Sequence, residues 1–240
     1  MSNFTRFNRS SFASTTGKAV YDAGLRDYMI KVYNYMGAAL GITGLVSFFI
    51  SNSPALINLI FGTPLKWVAF LAPFIFVVFL GVKINNISAA SAKNYLWIFS
   101  GLMGLSLSSI FLIYTGNSIA RAFFVTASLF GAMSIYGYTT KKDLTAMGSF
   151  MFMGLIGIII ASLVNLFMHS SAMQFAISVL AVIIFTGLAA YDTQKIKNVY
   201  YQIAGNSEML GKAAVMGALS LYMDFINLFI NILRLMGDRR

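Results

Sequence analysis

Long apolar segments separated by short polar ones dominate the pattern of this chain. Seven of them approach the roughly 20 residues that an α-helix needs to cross a bilayer. They cover residues 32–50, 67–82, 95–115, 119–138, 146–168, 175–191 and 213–235. The second and sixth are short, and Pro73 lies inside the second, where it predicts a kink. The pattern therefore predicts an all-α polytopic membrane protein, a bundle of seven transmembrane helices.

The last apolar segment carries polar residues on one face only. Five of them follow a 4-3-4-3 spacing, which at about 100° per residue keeps them in a single stripe. They are Ser220, Asp224, Asn227, Asn231 and Arg234. A carboxylate at mid-membrane costs roughly 2.5–3.5 kcal/mol, so Asp224 should face the bundle interior or a water-filled cavity. Two interpretations stay open: the stripe is a polar seam that joins helices, or Asp224 lines a path for ions or protons.

Composition and charge support insertion in a lipid bilayer. The chain is 58% hydrophobic and 10% charged, whereas soluble domains carry about 25% charged residues. The net charge of +10 does not indicate nucleic-acid binding, because the 17 Lys and Arg residues are spread among the segment ends. Twelve of them lie on the side of the N-terminus and five on the other, so the positive-inside rule predicts a cytoplasmic N-terminus. Seven crossings put the C-terminus outside, whereas a re-entrant last segment would return its three arginines to the cytoplasm.

The chain divides into three predicted parts. Residues 1–31 are basic, rich in Ser and Thr, and predicted to be a flexible cytoplasmic tail without a cleavable signal peptide. Residues 32–236 form the membrane domain, and residues 237–240 a short C-terminal tail. With one histidine, no cysteine and no catalytic motif, we expect neither an enzyme nor a resident cofactor. The membrane aspartates leave an intramembrane aspartyl protease as an alternative, although the Gly-rich context of such sites is missing.

Asp192 is the second ionisable residue at a membrane helix. It closes the sixth segment in the run FTGLAAYDTQKIKN, just before Lys195 and Lys197. Its ordinary role would be that of a helix-end carboxylate paired with a nearby lysine. Asp224 lies about 16 Å along the seventh segment, so the two carboxylates meet only if that helix begins outside the hydrocarbon layer. If they meet, the pair can share a proton at low pH or bind a hard cation such as Ca²⁺ when ionised.

Three runs resemble the signature segments of a known family. They are YGYTTKKDL (136–144), AAYDTQKIKN (189–198) and ALSLYMDFINLFINILRL (218–235). These runs are similar to those of the Bax-inhibitor-like family, also called the transmembrane Bax inhibitor motif family, and most of all to its bacterial inner-membrane branch. The resemblance extends from Arg26 to Arg240. It implies a seven-helix bundle in which the last helix is central.

The resemblance also implies a function. In calcium-leak members, two aspartates on the last two helices control a pH-sensitive Ca²⁺ path, and Asp192 and Asp224 match them. A basic residue on the second helix latches that pair, and Lys83 is its nearest match, although the family has arginine there. Together with Asn227 on the polar stripe, these residues form the predicted ion path or pH sensor, with both aspartates as possible Ca²⁺ ligands. Because one bacterial member restrains a membrane-anchored ATP-dependent protease, the alternative is an interaction protein that modulates such a membrane protease complex.

Overall fold

A computed structural model describes residues 6–240, with side chains from residue 23 onward apart from residue 85. The start of the predicted N-terminal tail, residues 1–5, lies outside the described residues. Nine α-helices follow one another in the described part of the chain, with one short 3₁₀ turn at Ile84–Asn86. They are α1 (Arg6–Ser51), α2 (Pro54–Phe61), α3 (Leu65–Lys83), α4 (Ala89–Leu107), α5 (Ile110–Ile113), α6 (Gly116–Thr139), α7 (Thr145–Met168), α8 (Ser171–Ile203) and α9 (Ser207–Met236).

Seven helical segments are long and apolar enough to cross a membrane, which confirms the predicted fold class. They are Ala23–Ser51, Leu65–Lys83, Ala89–Ile113, Gly116–Thr139, Thr145–Met168, Ser171–Ile203 and Ser207–Met236. Helix α2 is the exception: its eight residues form a short apolar helix between the first two spans. Its start is explained locally, because Pro54 occupies the first helical turn and the Ser53 hydroxyl accepts a hydrogen bond from the backbone N–H of Leu56.

Two spans extend furthest beyond their predicted limits, in both cases along an amphipathic continuation of the apolar segment. Helix α8 runs on from residue 191 to Ile203, so Asp192 lies inside a helix and does not close one. The reason is that Thr193, Ile196 and Tyr200 recur at helical spacing and are buried in the core. Helix α1 likewise includes part of the predicted tail, where Leu25 is one of several buried residues.

Helix α9 packs against α8, α1, α6 and α4, and its span has the largest buried share of the seven. Contacts between residues at the helix ends define the two ends of the bundle. The Glu208 carboxylate accepts a hydrogen bond from the backbone N–H of Ala89, which places the starts of α9 and α4 at one end, here called the N side. At the other end, the C side, Tyr114 forms an isolated bridge with Arg239. Helix α9 therefore runs from one end of the bundle to the other as one continuous helix, as a crossing segment would.

Candidate functional site

Three polar side chains meet where α8 packs on α9. The Ser220 hydroxyl donates a short hydrogen bond to Oδ2 of Asp192, and the carboxyl groups of Asp192 and Asp224 are in direct contact. Asp224 is only 6% exposed, and its Oδ2 atom has no hydrogen-bond partner among the described residues. Two ionised carboxylates in contact repel each other strongly, whereas a pair that shares one proton can form a hydrogen bond. The structure thus brings the two predicted aspartates together.

Small residues allow the backbone before Asp192 to lie close to its neighbours. A Cβ atom on Gly137 of α6 would lie 2.1 Å from the carbonyl oxygen of Ala190, and one on Gly148 of α7 would lie 2.4 Å from the ring of Tyr191. On α9, a Cβ atom on Gly217 would approach the Ile196 side chain to 3.0 Å. Gly137 belongs to the run YGYTTKKDL, so this signature segment packs directly on the run AAYDTQKIKN. The glycines bring α8 close to α6, α7 and α9 at the turn that presents Asp192.

The turn after Asp192 is tied to two other parts of the bundle. The Thr193 hydroxyl shares a hydrogen bond of 3.2 Å with the Tyr33 hydroxyl on α1. The amide of Gln194 accepts a hydrogen bond from the backbone N–H of Leu144 at 2.9 Å and donates one to the carbonyl oxygen of Lys142 at 2.8 Å. Side chains of α8 therefore hold the loop between α6 and α7 at the level of the carboxyl pair.

The aspartate pair faces a cavity of about 1280 Å³ between α3, α7, α8 and α9. All five residues of the polar stripe on α9, from Ser220 to Arg234, line it. The distance along the helix from Ser220 to Arg234 is about 21 Å at 1.5 Å per residue, a large part of the hydrocarbon thickness. Phe74 of α3 and Phe152 of α7 line the same cavity and are largely exposed, so its walls are apolar where α3 and α7 face each other. The stripe thus supplies polar residues along the length of a cavity whose walls on α3 and α7 are largely apolar.

The cation next to the aspartates is not the predicted one. Lys195, one turn after Asp192 on α8, attracts its carboxylate and lines the cavity. Lys83 is exposed at the end of α3, and within the described part of the chain it belongs neither to the cavity lining nor to the groups that act on the pair. Asn227 does line the cavity, and its side-chain amide donates a hydrogen bond of 2.8 Å to the carbonyl oxygen of Met223.

The oxygen atoms at this site could serve as ligands of a cation, although they are few. Ca²⁺ takes 6–8 oxygen ligands and gains affinity with the number of carboxylates. Two carboxyl groups come together here, and among the side chains that the structure describes no group of three or more His, Cys, Asp or Glu residues does. The hydroxyl of Ser220 and the side-chain oxygen of Asn227 add neutral donors on the same face. A cation bound here would therefore be held by few charged ligands and would be retained weakly.

Ser220 and Lys195 are the members of this site that sequence reasoning did not assign. A signal existed for each, since Ser220 lies one turn before Asp224 on the stripe and Lys195 lies three residues after Asp192. No signal in the sequence pointed to the amide of Gln194, because its two partners are backbone groups of a distant loop.

Comparison with known proteins places this architecture in a family. The family described as "Inhibitor of apoptosis-promoting Bax1" matches residues 25–240. A Rickettsia prowazekii protein is 47% identical over 230 residues, which cover 96% of this chain and 97% of the relative. The Escherichia coli K12 protein named "Inner membrane protein YbhL" is 46% identical over 220 residues, which cover 91% of this chain and 94% of the relative. A Caulobacter vibrioides protein is 43% identical over 249 residues, and the match covers both chains completely. This chain belongs to the Bax-inhibitor family of multi-pass membrane proteins.

Proposed function

We propose that this protein is a pH-sensitive leak channel for Ca²⁺ or another cation, gated by Asp192 and Asp224, and that it is not an enzyme. The observation that carries the proposal is the direct contact between the two carboxyl groups at a cavity lined by the whole polar stripe of α9. Ionisable residues within membrane spans that pair with each other and face a cavity commonly mark ion pathways or proton relays. We propose no resident cofactor; Ca²⁺ is the transported ion.

The proposed gate depends on what occupies the space between the two carboxyl groups. With one proton the pair holds α8 against α9, because a shared hydrogen bond replaces the repulsion of two negative charges. Without that proton, the pair attracts either a passing cation or the ammonium group of Lys195, which already acts on Asp192. A change of pH therefore changes the charge that a cation meets on its way along the cavity. In this proposal Lys195, and not the predicted Lys83, is the basic residue that binds the deprotonated pair.

The proposed location is the inner membrane of a bacterial cell, with the N-terminus in the cytoplasm. The name of the Escherichia coli relative, an inner membrane protein, supports the membrane. The concentration of lysines at the N side, where Lys141, Lys142 and Lys195 lie, supports the orientation through the positive-inside rule. In this orientation the aspartate pair lies in the cytoplasmic half of the bundle, where it can respond to cytoplasmic pH.

Calcium flux into liposomes that contain the purified protein tests this proposal. The initial rate is measured at several values between pH 6 and pH 8 for the parent and for Asp192→Asn and Asp224→Asn. An amide keeps the shape of the carboxyl group but carries no titratable proton, so we expect a pH-dependent flux from the parent and a flux independent of pH from both variants. Asp143→Asn is the matched control, since Asp143 is an exposed acid of the loop between α6 and α7 and lies outside the cavity.

Superimposed curves for the parent and both variants would refute the gate. The aspartates would then be a structural seam, and a regulator that binds a membrane protease would become the better proposal. A parent without any calcium flux would refute a calcium channel. A pH response that Asp143→Asn loses as well would show that general surface charge, and not the pair, determines the response.

A further inference from the structure

A second cavity lies at the C side of the bundle. It has a volume of about 900 Å³, and Phe74, Ser162, Leu166 and Arg234 line both this cavity and the one that holds the aspartates. Its special feature is charge, because Arg234 and Arg239 both line it. The two guanidinium groups are close enough to repel each other. Two like charges brought together at the edge of a membrane protein require an explanation.

The chain holds Arg239 in this position by its backbone. Tyr114 and Arg239 form an antiparallel bridge. On either side of it, the N–H of Thr115 donates to the carbonyl oxygen of Asp238 at 3.1 Å, and the N–H of Arg240 donates to that of Ile113 at 2.9 Å. The predicted C-terminal tail, residues 237–240, is therefore paired with the segment between α5 and α6. Backbone hydrogen bonds on both sides of Arg239 therefore fix the position from which its side chain lines the cavity.

The nearest acid does not neutralise the two arginines. Asp238 lies between them in sequence, but its carboxylate accepts a hydrogen bond from the Ser118 hydroxyl on α6 at 3.2 Å. The C-terminus of α9 supplies a partial charge of only about −0.5. Both side chains are exposed, and neither forms an ion pair with a described residue.

The surroundings favour an anion with an apolar part. Asn165, Gln174, His169 and six serines line the same cavity as the arginines. Most of the remaining lining is apolar, and within it Phe74 is 64% exposed and Leu166 is 66% exposed. Side chains as exposed as these face lipid tails in a membrane protein. The cavity thus connects a cationic, hydrogen-bonding end with the hydrocarbon of the bilayer.

We propose that Arg234 and Arg239 together bind the phosphate group of an anionic phospholipid whose acyl chains follow the apolar wall of this cavity. Arginine is the side chain best suited to this, because its planar guanidinium group donates two parallel hydrogen bonds to phosphate oxygens. An anion between the two groups also replaces their mutual repulsion by attraction to both. Phospholipid headgroups carry phosphate groups at both membrane surfaces, including the surface at which α9 ends. The proposal does not depend on ion conduction.

Lipid binding to the purified full chain in detergent tests the proposal by native mass spectrometry. Phosphatidylglycerol is titrated against the parent, Arg234→Gln, Arg239→Gln and the double variant, with phosphatidylcholine as the zwitterionic comparison. We expect the parent to retain phosphatidylglycerol in preference to phosphatidylcholine and the double variant to bind phosphatidylglycerol at least tenfold more weakly. Arg121→Gln and Arg240→Gln are the matched controls, since both residues are exposed arginines of the C side outside the cavity, and we expect both to bind as the parent does.

Three results would overturn the proposal. The first is an unchanged affinity in the double variant. Equal losses in the control variants would assign the effect to general positive charge. The third is inorganic phosphate that displaces the lipid completely at millimolar concentration, because it would indicate a site for a free anion. The melting temperature of each variant is measured alongside, and the single variant Arg239→Gln, in the segment after α9, keeps the test valid if the double variant fails to fold.

Discussion

Replacement of Gly137 by alanine tests whether the two signature segments must pack backbone to backbone. The added Cβ atom would lie 2.1 Å from the carbonyl oxygen of Ala190, about 0.9 Å inside the 3.0 Å limit that real Cβ atoms respect. The obstacle is backbone, so no side chain can rotate away. Helix α6 must therefore move away from α8 by roughly 1 Å, and α8 carries Asp192 two residues after Ala190.

The expected cost is that of an overpacked core, about 1–3 kcal/mol. For a protein of this length, 1 kcal/mol corresponds to about 2–4 °C in melting temperature, so we expect Gly137→Ala to melt roughly 2–12 °C below the parent. Thermal unfolding in detergent, followed by the fluorescence of the two tryptophans, measures the shift. We also expect an altered pH dependence of calcium flux, since the movement displaces Asp192 from Asp224.

Gly131→Ala in the same helix is the matched control. A Cβ atom there meets no heavy atom within 4 Å, and alanine is a better helix former than glycine by about 0.5–1 kcal/mol. We expect this variant to melt at the parent temperature or slightly above it. If Gly137→Ala behaves like Gly131→Ala, the close approach of α6 to α8 does not exist in the protein, and the account of Asp192 given above loses its support.

Two further predictions concern the α1–α9 contact and the topology. The hydroxyl of the fully buried Tyr222 shares a hydrogen bond of 2.8 Å with Thr43, which also bonds the carbonyl oxygen of Ser100. We expect Thr43→Val to lower the free energy of unfolding by about 1–3 kcal/mol and Tyr222→Phe by about 0.5–1.5 kcal/mol, because only the former leaves a buried hydroxyl unpaired. Equal losses of stability in the two variants would contradict this. For topology, we expect a reporter fused at Lys142 to show a cytoplasmic location, and a reporter active only outside the cytoplasm would reverse the orientation.

The sequence could predict those features that depend on one helix at a time. Hydropathy is a local property, so the number of spans was predicted correctly, and most of their ends were predicted to within a few residues. The stripe on α9 was equally visible, because a helix repeats every 3.6 residues whatever surrounds it. The predicted helix ends were wrong where a helix continues past its apolar segment. Helix α8 does so beyond Asp192, because Ile196 and Tyr200 are buried in the core.

Features that depend on contacts between helices were harder to predict. The residue that neighbours Asp192 could have been Lys83 or Lys195 by sequence alone, since both were expected at the same membrane surface. The choice is made by packing: α3 lies mainly against α4, whereas Lys195 is on the same helix as Asp192 and one turn away. The pairing of the chain end with the segment at Tyr114 gave no sequence signal either, since a single bridge needs no repeating pattern.

Both proposals involve the polar face of α9, but each can be refuted without refuting the other. Ten residues separate Asp224 from Arg234, which is about 15 Å along the helix. Two charges at that distance interact by about 1 kcal/mol at an effective dielectric constant of about 20, which is small beside the interaction of two carboxyl groups in contact. The arginines therefore have little direct influence on proton sharing at the aspartates, and loss of a bound lipid should leave the pH response in place. Their effect on flux is of a different kind, because a cation on the cavity route passes Arg234 before or after it passes Asp224. An anion held by Arg234 and Arg239 would remove that barrier, so the C side would influence the rate of conduction while the N side determines its dependence on pH.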